Sequence, residues 1–160
     1  MTELYKTHLD NGIYDIQDGK YESGINHINK SLELKNDWEI PYFYRGVAYQ
    51  AMQDYDEAMI DYTKALQLNP KMTDAYYNKA YITLSRKDIE NPDIKAAVCD
   101  LEKAIELDNK FIDALYAMAC AQKKLENYDA AIEYLDKLLE IEPDAVNAKA
   151  LKKLILQKYL

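Results

Sequence analysis

Residues 39–72 read EIPYFYRGVAYQAMQDYDEAMIDYTKALQLNPKM, and the rest of the chain repeats their pattern of rings and small residues. Glycine inside a helix costs about 1 kcal/mol relative to alanine, so Gly46 indicates a place where another backbone comes close. Ala58 and Ala65 leave room for large rings, because protein cores are packed to high density. The positions that carry the pattern are Tyr42, Gly46, Tyr49, Ala58, Tyr62, Ala65 and Pro70.

This stretch contains the signals of two helices joined by a turn. Asp54 and Glu57 have the spacing of a capping box, which predicts the start of the second helix at this point. Pro70 cannot continue that helix and predicts its end. The spacing resembles the tetratricopeptide repeat, a helix–turn–helix unit of about 34 residues.

Further copies of the pattern follow in the same register along nearly the whole chain. The first copy is degenerate, because His8 takes the place of Tyr42. The third copy keeps the register only if about five residues are inserted near Lys87–Asn91. There, Asn91 followed by Pro92 predicts the N-cap and the first turn of a helix. The predicted repeats are residues 5–38, 39–72, 73–111 and 112–145.

Residues 146–160 predict one more amphipathic helix, with lysines opposite an apolar stripe. Repeat arrays need an end helix of this kind to cover the last open face. The sequence therefore predicts an all-α protein with a single domain over residues 1–160. The resemblance implies a right-handed α-solenoid of four helix pairs plus this C-terminal capping helix.

Composition excludes several classes of partner. The formal net charge of −8 argues against nucleic acid or an anionic membrane surface. No apolar run approaches the ~20 residues needed to span a bilayer. The start, MTELYKTHLDNG, lacks the basic flank and apolar run of a signal peptide. Cys99 and Cys120 form no CxxC motif, which favours reduced thiols and a cytoplasmic protein.

No combination of residues in the sequence indicates an enzyme. Motifs for metal-dependent hydrolysis, for a nucleophilic serine and for phosphate binding are all missing. His8 and His27 lie in the degenerate first repeat, and His8 occupies a packing position. We therefore expect no catalytic residue, no bound metal and no cofactor.

The resemblance implies that the first helix of each pair lines a concave groove. Several groove positions hold aromatic side chains, which offer large contact areas at a low entropic cost. Such rings predict a binding surface for an extended or helical peptide. The alternative is that Phe43 and Tyr77 pack into the core. The predicted ligand-groove residues are Leu9, Ile13, Phe43, Tyr44, Val47, Tyr77, Asn78, Tyr81, Tyr116 and Cys120.

Relatives that bind the acidic C-terminal tails of chaperones use a clamp of lysine, arginine and asparagine side chains. Matched to the first three repeats, the clamp positions hold Leu9, Ile13, Tyr44, Asp74 and Asn78. Matched to the last three repeats, they hold Phe43, Val47, Asn78, Asp113 and Ala117. Of these residues, Asn78 alone fits the clamp, so we expect no chaperone-tail binding.

The C-terminal segment is basic: residues 145–160 carry +4, and residues 1–144 carry −12. We predict a secondary basic patch formed by Lys123, Lys124 and Lys158, on which an acidic segment of a partner binds. The alternative is that these lysines solvate the end of the array and complement helix C-termini.

Two functions of different classes fit this sequence. The first is a non-enzymatic adaptor or chaperone that binds a protein or peptide partner in the tyrosine-rich groove. The second is a self-assembling scaffold, a homo-oligomer held together by its terminal helices. Leu156, Leu160 and the degenerate first repeat favour the second function, since imperfect ends expose apolar faces.

Overall fold

The computed structural model describes residues 3–86 and 92–159, and these residues form nine α-helices. The predicted insert at Lys87–Asn91, the predicted N-cap Asn91 and the apolar residue Leu160 lie outside the described residues. The helices are α1 (Leu4–Gln17), α2 (Tyr21–Leu34), α3 (Glu39–Ala51), α4 (Tyr55–Leu68), α5 (Thr73–Ser85), α6 (Ile94–Leu107), α7 (Ile112–Lys124), α8 (Tyr128–Ile141) and α9 (Val146–Lys158).

The helices pack as consecutive pairs. Helix α1 packs against α2, α3 against α4, and α7 against α8. Helices α5 and α6 share a core cluster that contains Ala80, Ala97 and Leu101. Contacts of α2 with α3, of α6 with α7, and of α8 with α9 connect successive pairs. The described residues thus contain the four predicted pairs and the predicted end helix.

Contacts divide the chain into two compact units, Met1–Ala75 (unit 1) and Tyr76–Leu160 (unit 2). The single domain over residues 1–160 stays a prediction. In unit 2, one cluster surrounds Leu101 and Met118, and a second surrounds Leu135 and Ile155. The core cluster of unit 1 consists of Leu9, Ile16, Ile25, Ile28 and Ala48.

Small residues bring the helices of unit 1 close together, although not always backbone to backbone. A Cβ atom on Gly12 would lie 3.0 Å from the carbonyl oxygen of Gly24, so two backbones meet there. A Cβ atom on Gly46 would instead lie 2.9 Å from Cε1 of Tyr62. The expectation of a close backbone at Gly46 is therefore wrong, because the neighbour is the side-chain ring of Tyr62.

The predicted N-terminal caps of two helices differ from the structure. Asp54 stands at the N-cap of α4 but makes no side-chain capping hydrogen bond, so the capping box with Glu57 is not formed. Helix α6 begins at Ile94, two residues after the Pro92 expected in its first turn. Its cap is Asp93, whose Oδ1 accepts a hydrogen bond of 3.0 Å from the backbone N–H of Ala96.

The turn inside a helix pair uses one left-handed residue at the same repeat position. Gly19 has φ = 77° between α1 and α2, and Gln53 has φ = 65° between α3 and α4. Glu126 has φ = 62° between α7 and α8. Left-handed backbone is unfavourable for residues with a Cβ atom, so the geometry of the turn overrides local preference at Gln53 and Glu126.

Helix α9 completes the core of unit 2. Ala148 and Ile155 are buried against Leu135 and Leu138 of α8. On the other side of α9, Lys149 and Lys153 are exposed, as the capping prediction requires. None of the helices in the described part of the chain is long and apolar enough to cross a membrane.

Candidate functional site

Three tyrosines of unit 2, which we call the tyrosine surface, lie on the first helices of two consecutive pairs: Tyr77, Tyr81 and Tyr116. The rings of Tyr77 and Tyr81 stand one helical turn apart on α5, with centroids 6.1 Å apart. Tyr81 keeps 47 % of its surface exposed, whereas Tyr77 and Tyr116 are half-buried. Tyr77 also packs on Phe111 at the start of α7, with centroids 5.0 Å apart.

Burial raises the pKa values of two hydroxyl groups of the tyrosine surface and of the neighbouring Cys120 thiol. Burial raises the pKa of Tyr77, and the charge of Asp113 raises it further. Burial likewise raises the pKa of Tyr116, which also interacts with the Cys120 thiol. The pKa of Cys120 is raised by burial, against the opposing effects of Tyr116 and two lysines. The thiol is therefore not activated as a nucleophile.

In unit 1, most predicted groove residues contribute to the core. Leu9 is only 5 % exposed and offers little surface to a ligand. Ile13, Tyr44 and Val47 are half-buried against the core cluster of unit 1. Phe43 contacts Tyr44 edge-on, with centroids 5.4 Å apart, and is also half-buried.

Phe43 and Tyr77 each pack against another ring and are half-buried, so both contribute to packing, and their place in a ligand groove stays a prediction. Asn78 is half-buried and engaged with other groups of the protein.

The three lysines of the predicted basic patch each contact a local group. Lys124 Nζ donates a 3.1 Å hydrogen bond to the carbonyl oxygen of Leu84, near the end of α5, where helix carbonyls lack partners. The charge of Lys123 opposes the rise in the pKa of the Cys120 thiol that burial causes. Lys158 Nζ lies 5.3 Å from the centre of the Tyr159 ring. The common acidic ligand of these lysines stays a prediction.

Sequence reasoning missed a buried ion pair in unit 1. Arg45 Nε and Nη2 each donate a 2.8 Å hydrogen bond to the carboxylate of Asp61, which is almost fully buried. Arg45 Nη1 also donates a 2.6 Å hydrogen bond to Asn29 Oδ1 of α2. The guanidinium therefore joins three helices, and the hydrogen bond to Asp61 raises the pKa of Arg45.

The repeat register could have revealed this pair. One repeat later, the same two positions hold Lys79 and Asp100, which form an ion pair at 3.4 Å. A basic residue on the first helix and an acid on the second recur together, which indicates a bridge inside the pair.

The two histidines lie side by side, with ring centroids 5.9 Å apart. His27 Nε2 is 3.9 Å from Asp15 Oδ2, which accepts a 2.6 Å hydrogen bond from Ser23 Oγ. Among the described residues, no three histidine, cysteine or acidic side chains are arranged to hold a metal ion.

Known proteins with similar sequences or structures share the repeat pattern. The family model of the Fis1 C-terminal tetratricopeptide repeat matches residues 112–159, and the tetratricopeptide repeat model matches residues 41–72. Over 71 residues, 44 % of this chain, the sequence is 32 % identical to tetratricopeptide repeat protein 12 of Homo sapiens. The matched stretch spans 10 % of that human protein.

Two solved structures are similar over most of the chain. The crystal structure of MamA protein has a TM-score of 0.83 at 21 % identity, covering 98 % of this chain and 88 % of that one. The first TPR of Spaghetti (RPAP3), bound to the HSP90 peptide SRMEEVD, has a TM-score of 0.68 at 24 % identity, covering 74 % and 90 %. These likenesses confirm the all-α fold class predicted from the sequence.

Proposed function

The chain belongs to the tetratricopeptide repeat family, and from this premise we propose that it is an adaptor or chaperone that binds a peptide segment on its tyrosine surface. Proteins of this fold serve as protein–protein interaction modules. The finer proposal, which concerns the place and the chemistry of binding, rests on the side chains of unit 2.

The exposure of Tyr81 is the observation that carries the proposal. Packing does not require a tyrosine at this position of the repeat, because the equivalent residues are Val47, Cys120 and Leu154. A tyrosine that is 47 % exposed beside the ring of Tyr77 provides an apolar face and a hydroxyl group for a ligand. Aromatic side chains of this kind dominate the energetics of protein interfaces.

The peptide is not expected to be an acidic chaperone tail. The RPAP3 structure contains the peptide SRMEEVD, which is rich in acidic residues. At one clamp position where relatives carry a lysine, this chain has Asp74 in the match to the first three repeats and Asp113 in the match to the last three. Like charges would repel such a tail, so we keep the prediction that no chaperone-tail clamp is present.

A synthetic peptide array tests the proposal against many ligand sequences at once. Twelve-residue peptides of diverse composition would be incubated with labelled wild-type protein and with Tyr81→Ala. We expect a subset of peptides to bind the wild type and to lose roughly tenfold or more in affinity with Tyr81→Ala, as for an interfacial hot spot. The folding of each variant is checked by thermal unfolding. Tyr81→Ala should unfold close to the wild type because about half of the residue's surface is already exposed to solvent.

Ile60→Ala is the control, since Ile60 is an exposed apolar residue of unit 1 and lies outside the tyrosine surface. It should leave the bound peptides unchanged. An array without signal, or equal binding by Tyr81→Ala and the wild type, would show that the tyrosine surface is not the binding site.

A second candidate function, self-association, is favoured by one observation on α1. Tyr14 is 66 % exposed, whereas the same repeat position is fully buried in every later first helix. Those buried residues are Ala48, Ile82, Ala121 and Ile155. An exposed ring at a position used for packing elsewhere can dock a helix of a second copy.

We also propose that the protein is not an enzyme, that it needs no cofactor, and that it acts in the cytoplasm without binding nucleic acid. The protonated thiol of Cys120 and the net charge of −8 support these proposals.

A further inference from the structure

A cavity of about 310 Å³ opens at one edge of unit 2, and we call it the edge cavity. It lies where the first turn of α7, the C-terminal end of α8 and the first turn of α9 meet. Ile112, Tyr116 and Val146 contribute apolar surface to its wall, and Val146 is 76 % exposed. Tyr116 also belongs to the tyrosine surface, so a peptide bound there can extend into the edge cavity.

Three carboxylates from different elements line the same cavity. Asp113 lies in the first turn of α7, Glu142 is the C-cap of α8, and Asp144 lies in the turn before α9. All three residues are exposed, and Lys149 balances one of them, with its Nζ 3.4 Å from Asp144 Oδ1. The C-terminal end of α8 contributes partial negative charge, whereas the N-terminal ends of α7 and α9 contribute partial positive charge. The cavity stays negative because three carboxylates face the one ammonium group of Lys149.

We infer that the edge cavity binds an arginine or lysine side chain of the partner peptide. The inference rests on the proposed function, because the same peptide occupies the tyrosine surface. The long aliphatic part of either side chain can lie along Ile112, Val146 and the ring of Tyr116, while the charged group reaches the carboxylates. This mixed wall fits a basic side chain better than an apolar one, which would desolvate the carboxylates without pairing them.

The charge distribution around the cavity supports a cationic ligand in two further ways. The charge of Asp113 raises the pKa of Tyr77, so its field extends from the cavity to the tyrosine surface. Residues 1–144 carry a net charge of −12, which attracts basic peptides at long range. A bound metal ion is the weaker alternative, because the described carboxylates do not converge as metal ligands.

The test uses N-acetyl-arginine amide and N-acetyl-lysine amide as probes, with N-acetyl-norleucine amide as the uncharged control. Each is titrated into ¹⁵N-labelled full-length protein and followed by amide chemical shifts. We expect weak binding of the two basic probes, with shifts concentrated in residues 112–116 and 142–148. Norleucine amide should cause much smaller shifts.

A paired substitution identifies the carboxylates that bind. Asp113→Asn together with Glu142→Gln should weaken arginine amide roughly two- to fivefold for each charge removed, as for exposed ion pairs. Glu102→Gln together with Asp129→Asn removes two exposed carboxylates of unit 2 outside the cavity, and it should leave the titration unchanged. Equal shifts from norleucine amide, or an unaltered titration in the cavity variant, would refute a cation site.

The peptide array separates this inference from the proposed function. Both the cavity inference and the proposed function would be supported if the bound peptides are enriched in arginine or lysine and if replacing that residue by glutamate abolishes binding. Bound peptides without any preference for a basic residue would overturn the cavity inference and keep the tyrosine surface. Arginine amide binding together with an empty array would support the cation preference of the cavity and overturn the proposed function.

Discussion

The missing side chain of Gly46 allows Tyr62 to lie fully buried between α3 and α4. The hydroxyl of Tyr62 donates a 2.8 Å hydrogen bond to Gln50 Oε1, so the buried ring keeps a polar partner. In the two later repeats the first helix has an alanine in place of the glycine, and the second helix has a leucine in place of the tyrosine. The equivalent buried pairs are Ala80 with Leu101, and Ala119 with Leu135. The second repeat thus divides this buried volume between its two helices differently from the two later repeats.

This exchange of volume predicts the effect of Gly46→Ala. A Cβ atom 2.9 Å from Cε1 of Tyr62 should lower the free energy of unfolding by about 1–3 kcal/mol through overpacking, despite the better helix propensity of alanine. Adding Tyr62→Leu should recover part of this loss, since the double variant reproduces the alanine–leucine pairs of the later repeats. Urea unfolding of the wild type, of the two single variants and of the double variant measures the coupling free energy between the two positions. A Gly46→Ala variant as stable as the wild type would mean that the ring moves freely.

The sequence predicted small and large positions but not the buried polar contacts of the same helices. Gly46 and Tyr62 could be identified because size alternates in a fixed register. Asp61 was missed, because an acid on an amphipathic helix is ordinarily assigned to the solvent face. Its signal lies in the repeat register, where a basic residue and an acid recur together as Lys79 and Asp100. Its burial follows from the guanidinium of Arg45, which Asn29 of α2 holds in place. A contact that needs three helices leaves no signal in the periodicity of one.

At the scale of the elements, helix ends were predicted where the backbone itself is restricted. Pro70 lies just beyond the end of α4, because proline cannot continue a helix. Capping was predicted less well, since a side chain that is able to cap also needs the right rotamer. Asp54 has the capping spacing without the hydrogen bond, whereas Asp93 has the hydrogen bond one residue after the proline.

The bridge between α5 and α6 gives a prediction on pH. Burial raises the pKa of Asp100 above its ordinary 3.8, and the nearby ammonium of Lys79 opposes this effect. A carboxyl group with a higher pKa in the folded chain binds protons more readily when folded, so its contribution to stability falls as pH rises through the interval between the two pKa values. Relative to the wild type, Asp100→Asn should therefore gain stability as the pH rises from the ordinary pKa of an aspartate to the raised pKa of Asp100 in the folded chain. Above the raised pKa the gain should level off.

Chemical unfolding at a series of pH values measures this difference, because the remaining carboxylates contribute to both proteins. Lys79→Met provides the control. Without the ammonium group the pKa of Asp100 should rise further, which extends the pH-dependent interval upward. A difference between Asp100→Asn and the wild type that does not change with pH would show that Asp100 titrates equally in the folded and unfolded chain.

At the scale of the whole molecule, helix count and order could be predicted from the sequence, whereas the accessible surface could not. The periodic pattern marks which side of each helix is apolar. It does not predict how much of a ring such as Tyr77 is buried by packing against Phe111, because that depends on the neighbouring helix pair. The edge cavity was missed for the same reason: Asp113, Glu142 and Asp144 come from three elements and share no motif.

Self-association is the property of the whole molecule that distinguishes the two proposed functions. Deleting residues 146–160 is a poor test, because Ile155 of α9 is fully buried in the core of unit 2 and the deletion would unfold that core. Point substitutions of exposed residues are cleaner. If copies associate through α1, the mean mass in sedimentation equilibrium should rise with protein concentration for the wild type and stay at 18.6 kDa for Tyr14→Lys. Leu156→Glu changes an exposed residue of α9 and tests the other end of the chain. Loss of association in this variant alone would assign the contact to α9. A constant monomer mass for the wild type would exclude the scaffold function and leave the adaptor function.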